Sequence, residues 1–201
     1  MTVKQRKIDR SIGDPSILNH PKIALFCSVK CPGKIILDTY DLAKHFREEG
    51  VTIISGFHSP MEEECLRILL RSSQPVIWCL ARGMMKTIPR ELRPSVDSGR
   101  LLIISPFPDG VRHVTANTAM RRNRIVAEMS SAVVVPHAAP GSKIEALCRD
   151  LLAFGKAIYT FDRPENADLI GTGALPITPK TEWKRILTNG SPSRRIHHES
   201  N

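Results

Sequence analysis

Aromatic residues are scarce in this sequence: six Phe, two Tyr and two Trp make up 5% of 201 residues. An interface that stacks nucleobases on aromatic rings would therefore depend on a few side chains, such as Phe57 or Phe107. The five cysteines are an odd number, and most of them lie inside apolar segments. This pattern indicates reduced cysteines and argues against a disulfide framework.

Several motifs of nucleotide enzymes and metalloproteins are missing. Neither a Gly-x4-Gly-Lys-Ser/Thr loop nor a Gly-x-Gly-x-x-Gly fingerprint is present, which disfavours NTPases and dinucleotide dehydrogenases. Cys27 and Cys31 have no second Cys or His pair with zinc-like spacing, and no Ser-His-Asp set can be assembled. We therefore predict no metal, no cofactor and no catalytic residue.

Long apolar runs are missing as well. No stretch approaches the roughly 18 to 20 apolar residues that a membrane span needs. The first seven residues contain three cations and are not followed by the apolar run of a signal peptide. We therefore expect a cytoplasmic protein that has no membrane partner.

What the sequence has in excess is positive charge. Lys and Arg number 29 against 20 Asp and Glu, which gives a formal net charge of +9 and a pI near 9.6. This charge favours a polyanionic partner, such as nucleic acid, a nucleotide or an anionic membrane surface. The length suits one domain with a core of its own.

Short apolar runs recur along the chain, with segments of helical spacing between them. Six runs have the length of a strand, and most are apolar at successive positions, which is typical of parallel strands covered on both faces. They are Ile23–Cys27, Val51–Ser55, Pro75–Leu80, Leu101–Ser105, Ala132–Pro136 and Ala157–Phe161. The alternation predicts a single-domain α/β fold with a doubly wound, mostly parallel sheet.

The two ends of the chain differ in composition from this central region. Neither end has a sustained apolar period. We therefore expect residues 1–21 to form a basic arm that packs loosely, and residues 179–201 to form a basic flexible tail. Residues 22–178 would then form the domain. Ligands of a doubly wound sheet bind beyond the carboxyl ends of its strands, so we expect function in the loops that follow the strands.

The most distinctive segment runs from Met120 to Met129 and contains Arg121, Arg122 and Arg124. We interpret these arginines as the opening of an amphipathic helix. Cations at a helix N-terminus oppose the helix dipole, so this placement costs stability unless an anion joins them. A bound phosphate would reverse that cost. A solvated charged face is the alternative interpretation.

A second candidate phosphate site is the loop that ends in Gly141 and Ser142, just before a helix. Gly141 permits the close approach of a ligand, and Ser142 can cap a helix whose dipole favours an anion. A well-capped loop without a ligand fits this segment equally well. The acidic run Glu62–Glu64 predicts only a stabilised helix start, and His58 before it is most simply incidental.

In their order along the chain, these loops resemble the DNA processing protein A family (DprA/Smf). The segment Arg121–Ala127 is similar to the family's PRRNRIIAGLS sequence, and Ile54-Ser55-Gly56 is similar to VSGLARGID. Further on, Leu80-Ala81-Arg82-Gly83 is similar to VLGSGLD, and Gly141–Ala146 is similar to SGSLITA. The resemblance covers about residues 23–177.

This resemblance implies an extended Rossmann-like fold that forms a homodimer and binds single-stranded DNA in a basic pocket. It also implies a role in recombination, in which the strand is passed to the RecA recombinase during DNA uptake by transformation. The family's Gly-Ser-Arg after the first strand reads Cys27-Ser28-Val29 here, so that Lys30 is the nearest cation. The predicted DNA- and phosphate-binding residues are Ser28, Lys30, Gly56, Arg82, Arg121, Arg122, Asn123, Arg124, Gly141, Ser142 and Lys143.

Two alternatives use the same loops. LOG-type nucleotide phosphoribohydrolases carry a Pro-Gly-Gly-x-Gly-Thr loop and a catalytic Glu, of which Pro140-Gly141-Ser142 and Glu145 reproduce a part. A nucleotide-sensing module of a defence system would bind a small nucleotide in the same pocket and act through a partner protein. Either alternative would take a nucleotide ligand in place of DNA.

Overall fold

The computed structural model describes residue 8 and residues 10–189. This part of the chain forms one sheet of eight strands, numbered β1 to β8 in chain order. The strands are Ser11–Ile12, Lys22–Leu25, Thr52–Ser55, Val76–Cys79, Leu101–Ile104, Ala132–Val134, Ile158–Phe161 and Leu175–Ile177.

Seven α-helices, α1 to α7, accompany these strands within the described residues. They are Gly33–Glu49, Pro60–Leu69, Arg93–Asp97, Ala116–Met129, Lys143–Ala153, Ala167–Gly171 and Trp183–Asn189. Two short 3-10 helices cover Pro15–Asn19 and Pro164–Asn166. None of the helices in this part of the chain is both long and apolar enough to span a lipid bilayer.

The strands lie in the order β1-β5-β4-β3-β2-β6-β7-β8, and all pairs are parallel except the antiparallel pair of β1 and β5. From β2 the chain proceeds outward through β3, β4 and β5, and it then returns to place β6 on the other side of β2. The reversal point therefore lies between β2 and β6. The predicted doubly wound, mostly parallel α/β sheet is confirmed.

Continuous apolar strands form because both faces of the sheet are covered. Alternate residues of β2 point to opposite layers: Ile23 and Leu25 pack with α1, α2 and α7, whereas Ala24 packs with α4, α5 and α6. All four residues of β2, β3, β5 and β7 are buried. Two helical layers thus enclose the sheet, and the loops at its carboxyl edge are left to bind ligands.

Three elements outside the predicted domain pack on the core, and one of them is the first 3-10 helix, whose Ile17 is buried in the core. Strand β1 pairs with β5, and the side chain of Trp183 in α7 packs edge-on against Phe46 and Tyr159, with ring centroids 4.9 and 5.4 Å away. Loose packing was expected of residues 1–21 and flexibility of residues 179–201, and these expectations are wrong for the three elements. An apolar period can be detected only over a longer run of residues. A strand of two residues, or a single buried Trp in a polar, basic segment, does not provide such a run.

The remaining residues of the predicted arm and tail, residues 1–7, 9 and 190–201, lie outside the described residues. The domain limits at 22 and 178 therefore stay a prediction.

Candidate functional site

A cavity of about 420 Å³ opens at the carboxyl edge of the sheet, beside the reversal point between β2 and β6. Its walls come from the loops that follow β2, β3 and β6 and from one side of α4. The lining residues are Cys27, Ser28, Val29, Lys30, His58, Ser59, Glu62, Ala116, Ala119, Met120, Arg122, Asn123, Ala139, Pro140, Gly141, Ser142, Lys143 and Ile144. This is the position where doubly wound sheets bind their ligands.

The side chain of Arg122 lines this cavity although it is only 3% exposed. Its Nη1 donates to the carbonyl oxygen of Cys79 at 2.9 Å, and its Nε donates to Oδ1 of Asn123 at 2.7 Å. A guanidinium has five N–H donors, so three have no acceptor among the described residues. Burial lowers the pKa of Arg122, and the carboxylate of Glu62 opposes that shift.

Among residue 8 and residues 10–189, no carboxylate lies within ion-pair distance of Arg122. A buried cation without an ion-pair partner is costly, because charge is stabilised poorly away from water. An anion that enters the cavity would supply the missing charge and accept the remaining hydrogen bonds. Arg122 is thus suited to bind an anionic group.

Gly56 provides the surface on which Arg122 rests. A Cβ atom at this position would lie 1.5 Å from Nη1 and 1.7 Å from Cζ of Arg122. The backbone of Gly56 is itself fixed, because Trp78 Nε1 donates to its carbonyl oxygen at 2.9 Å. Glycine is required here because any side chain would displace the guanidinium group.

Ser28 connects the loops that follow β2 and β6. Its backbone N–H donates to the carbonyl of His137 at 3.0 Å, and its Oγ accepts from the backbone N–H of Ala139 at 2.9 Å. The Ser28 and Ser142 hydroxyl oxygens are 3.1 Å apart. These bonds hold the two loops on either side of the reversal point at a fixed separation.

Helix α5 directs its N-terminus toward the cavity. Ser142 is the N-cap residue, and its Oγ accepts from the backbone N–H of Glu145 at 3.1 Å. The backbone N–H groups of Lys143 and Ile144 in the first turn have no acceptor among the described residues, and both residues line the cavity. Free N–H groups and the helix dipole together favour an anion at this end of the cavity.

Glu62 connects the loops after β2 and β3 and is buried, with 4% exposure. Its Oε1 accepts from the backbone N–H of Cys27 at 2.9 Å, and its Oε2 accepts from that of His58 at 3.0 Å. This role of Glu62 was not predicted from the sequence. Ser59 and Glu62 have the spacing of a capping box, which predicts a bond to the Ser59 N–H and not to a loop 35 residues earlier.

The predicted position of the arginines in their helix is wrong. Helix α4 begins at Ala116, and Thr115 caps it through a reciprocal pair of bonds with Thr118. Residues 121–124 therefore lie in the middle of the helix, where the dipole argument does not apply. The Thr-x-x-Thr box was not recognised because the usual signal has Glu or Gln at the last position.

Seven predicted residues meet at the cavity, and Gly56 lies beneath Arg122. The seven are Ser28, Lys30, Arg122, Asn123, Gly141, Ser142 and Lys143.

The other three arginines are exposed and do not line the cavity. Arg121 lies 5.4 Å from the ring centroid of Phe107, and Arg124 pairs with Asp150 at 2.8 Å. Arg82 lies in the loop after β4. Phe57 and Phe107 are both 3% exposed, so neither ring offers a free stacking face.

Within the described residues, no three His, Cys, Asp or Glu side chains are grouped as metal ligands. All five cysteines are free thiols. The cationic side chains of Lys30, Arg122 and Lys143 and the backbone N–H groups at the start of α5 suit the cavity to hold a phosphate.

Comparison with known proteins assigns the family. A sequence model of the family described as DNA recombination-mediator protein A matches residues 11–177. The chain belongs to this family. The resemblance to DprA that the loops indicated is thereby confirmed, and it covers most of the chain. No curated protein sequence matches the chain significantly.

Solved structures of DprA share the fold at low sequence identity. DprA from Streptococcus pneumoniae is 20% identical with a TM-score of 0.70, and the match covers 84% of this chain and 62% of that protein. DprA from Helicobacter pylori, described for its single-stranded DNA binding mode, is 17% identical with a TM-score of 0.71. That match covers 94% of this chain and 93% of the other.

The fold also occurs outside the DprA family. A molybdenum cofactor binding protein from Rippkaea orientalis is 14% identical with a TM-score of 0.56, and the match covers 79% of this chain and 90% of that protein. The architecture alone therefore does not specify the ligand. The chain spans less than two thirds of the S. pneumoniae protein.

Proposed function

We propose that this DprA family member binds single-stranded DNA, and that the cavity between β2 and β6 holds a phosphate of the DNA backbone. The observation that carries the proposal is Arg122, a buried guanidinium at the cavity wall with three donors that no described residue accepts. A phosphate diester has two free oxygens and suits such a group.

The surroundings of Arg122 supply further attraction for phosphate. Lys30 and Lys143 line the cavity, and both are exposed. Glu62 is the only acidic residue among the lining residues, and both of its oxygens accept backbone N–H groups. The positive charge of the cavity agrees with the net charge of +9 for the whole chain.

The geometry favours a single strand over a duplex. Arg122 is buried and lines the cavity, so a phosphate must project from its own nucleic acid into the cavity to contact it. A flexible single strand can insert one backbone unit in this way, whereas a stacked duplex cannot do so without deformation. Phosphate contacts position a strand without reading its bases, so we expect little sequence preference.

The size of the cavity supports a second candidate ligand, a small nucleotide. Its volume of about 420 Å³ lies within the range of sites for small ligands, and Val29, Met120 and Ile144 give it aliphatic walls. Hydrolysis of such a nucleotide is not supported, because Glu145 does not line the cavity. Its Oε2 instead accepts from the backbone N–H of Gly141 at 2.8 Å.

The test compares a labelled single-stranded oligonucleotide with the matching duplex by fluorescence anisotropy across a salt series. Log affinity for the single strand should fall with log salt at a slope of about −0.7 per phosphate contacted. The variant Arg122→Met should bind about 100-fold more weakly, since it removes charge-assisted hydrogen bonds. Arg124→Met is the matched control, because it removes the same charge from an exposed position of the same helix.

Two results would contradict the proposal. One is an absence of single-strand binding at low salt; the other is an equal effect of Arg122→Met and Arg124→Met. Competition with a nucleoside monophosphate separates the two ligands. If the monophosphate binds through Arg122 and the oligonucleotide does not, the cavity serves a small nucleotide.

Family membership extends the proposal to recombination. We propose that the chain acts in the cytoplasm as a homodimer and passes single-stranded DNA to a RecA recombinase during transformation. Light scattering measures the oligomeric state of the full chain. Pull-down by immobilised RecA, with and without single-stranded DNA, measures the partnership.

A further inference from the structure

The carboxyl edge of the sheet is electrically asymmetric on the two sides of the cavity. On the side of β3, β4 and β5, the loop between β4 and α3 exposes Arg82, Lys86 and Arg90 against a single acid, Glu91. The loop between β5 and α4 adds exposed Arg112, and its one acid, Asp109, pairs with Arg10.

The segment that follows β7, on the other side of the cavity, has the opposite charge. After β7, three exposed acids, Asp162, Glu165 and Asp168, follow closely along the chain. Arg163 among them is already occupied, since it donates to both carboxylate oxygens of Asp38 at 2.8 and 3.0 Å. A polyanion at the cavity is therefore repelled from the β7 side and attracted to the β4 side.

The two basic loops form one continuous surface. The backbone N–H of Gly83 donates to the carbonyl of Val111 at 2.8 Å, and Ser105 Oγ donates to the carbonyl of Arg82 at 2.6 Å. A Cβ atom on Gly83 would lie 2.7 Å from the carbonyl oxygen of Pro108, so the loops are in close backbone contact. The cations of the two loops consequently belong to one surface.

This surface begins at the cavity. Arg122, which lines the cavity, donates to the carbonyl of Cys79 at the end of β4, where the first basic loop starts. Its neighbour Arg121 is exposed and lies over Phe107, in the second basic loop. Arg82, Arg90 and Arg112 form no ion pair among the described residues.

We infer that a DNA strand anchored by one phosphate in the cavity continues over the loops after β4 and β5, where Arg82, Arg90, Arg112 and Arg121 bind its further phosphates. This inference rests on the proposed function and adds a direction to it. It also assigns a use to the two predicted arginines, Arg82 and Arg121, that lie on this side outside the cavity.

The test uses oligothymidylates of two lengths, about four and about sixteen nucleotides. The triple variant Arg82→Gln, Arg90→Gln, Arg112→Gln of the full chain should bind the long oligonucleotide about tenfold more weakly. Its salt slope should flatten by about 2, which corresponds to three contacts of about 0.7 each. Binding of the short oligonucleotide should stay within about twofold, because it occupies the cavity alone.

The matched control removes the same number of charges elsewhere, with the triple variant Lys44→Gln, Arg71→Gln, Lys184→Gln. Equal weakening of the long oligonucleotide by both triple variants would overturn the inferred path, and so would an equal effect on both lengths. Thermal melts confirm that each variant is folded. If neither length binds the unaltered chain, the proposed function itself fails; if both bind but the basic loops have no effect, only the path fails.

Discussion

The substitution Gly56→Ala should weaken binding at the proposed phosphate site and leave the fold in place. The new Cβ would lie 1.5 Å from Nη1 of Arg122, whereas ordinary contact begins at 3.4 Å, so the guanidinium must move by about 1.9 Å. That shift breaks the 2.9 Å bond to the carbonyl of Cys79. The displaced group is the end of a flexible side chain, so the backbone can stay in place.

The cost to stability should be small. Loss of the hydrogen bond to a buried carbonyl destabilises by about 1 to 3 kcal/mol. Replacement of glycine by alanine stabilises the fold by about 0.4 to 1 kcal/mol, because it lowers the conformational entropy of the unfolded chain. The net loss of stability is therefore between about 0 and 2.6 kcal/mol. The loss in binding should be about 3 kcal/mol, or about 100-fold in affinity, when the guanidinium leaves its place.

Urea denaturation and anisotropy measure these two quantities on the same sample. Gly171→Ala is the control, because a Cβ at Gly171 has no neighbour within 4 Å. In an Arg122→Met background, Gly56→Ala should reduce affinity little further, since both changes remove the same interaction. A Gly56→Ala variant with unchanged affinity and salt slope would refute the assignment of Arg122 as the phosphate ligand.

Two further predictions concern stability. Trp183→Ala should lower the free energy of unfolding by about 3 to 5 kcal/mol, because the indole is buried among aromatic rings; Phe154→Ala, at an 88% exposed position, should change it by less than about 0.5 kcal/mol. Equal effects in urea melts would show that α7 does not belong to the core. The fold raises the pKa of Cys79 and Cys148 to about 12, chiefly by burial, whereas an unfolded thiol ionises near pH 8.5. Each thiol should therefore leave the free energy of unfolding unchanged below about pH 8.5 and lower it above that pH by about 1.4 kcal/mol per pH unit. The variant Cys148→Ala should make this decline with pH less steep. A decline as steep as that of the unaltered chain would contradict the raised pKa of Cys148.

The central strands could be predicted from the sequence, because their signal is strong. Runs such as Ile23–Cys27 and Leu101–Ser105 are apolar at successive positions, and both coincide with buried strands. Strand β8, the exposed edge strand Leu175–Ile177, has no such run and was not predicted. The start of α4 was missed for a different reason, since its cap at Thr115 uses an uncommon partner.

The site was predicted in part. Loop composition and family resemblance together indicated Ser28, Arg122 and Ser142, which come from three separate segments and meet at the cavity. Glu62 was not predicted because it binds the backbone N–H groups of Cys27 and His58. Every residue except proline has such a group, so no residue type in the sequence indicates the contact. The sequence also could not predict that Arg122 is the arginine that points into the core. Its position depends on Gly56, which lies 66 positions earlier in the chain.

The bond between Ser28 and Ser142 joins residues 114 positions apart, across the reversal point of the sheet. During synthesis the loop after β2 leaves the ribosome long before α5 exists. The early strands β2 to β5 can assemble first, as domains fold while they emerge, but they enclose only part of the cavity. A nascent chain that stops before Ser142 therefore has no closed anion site. The proposed phosphate site is complete only when the second half of the sheet has joined the first.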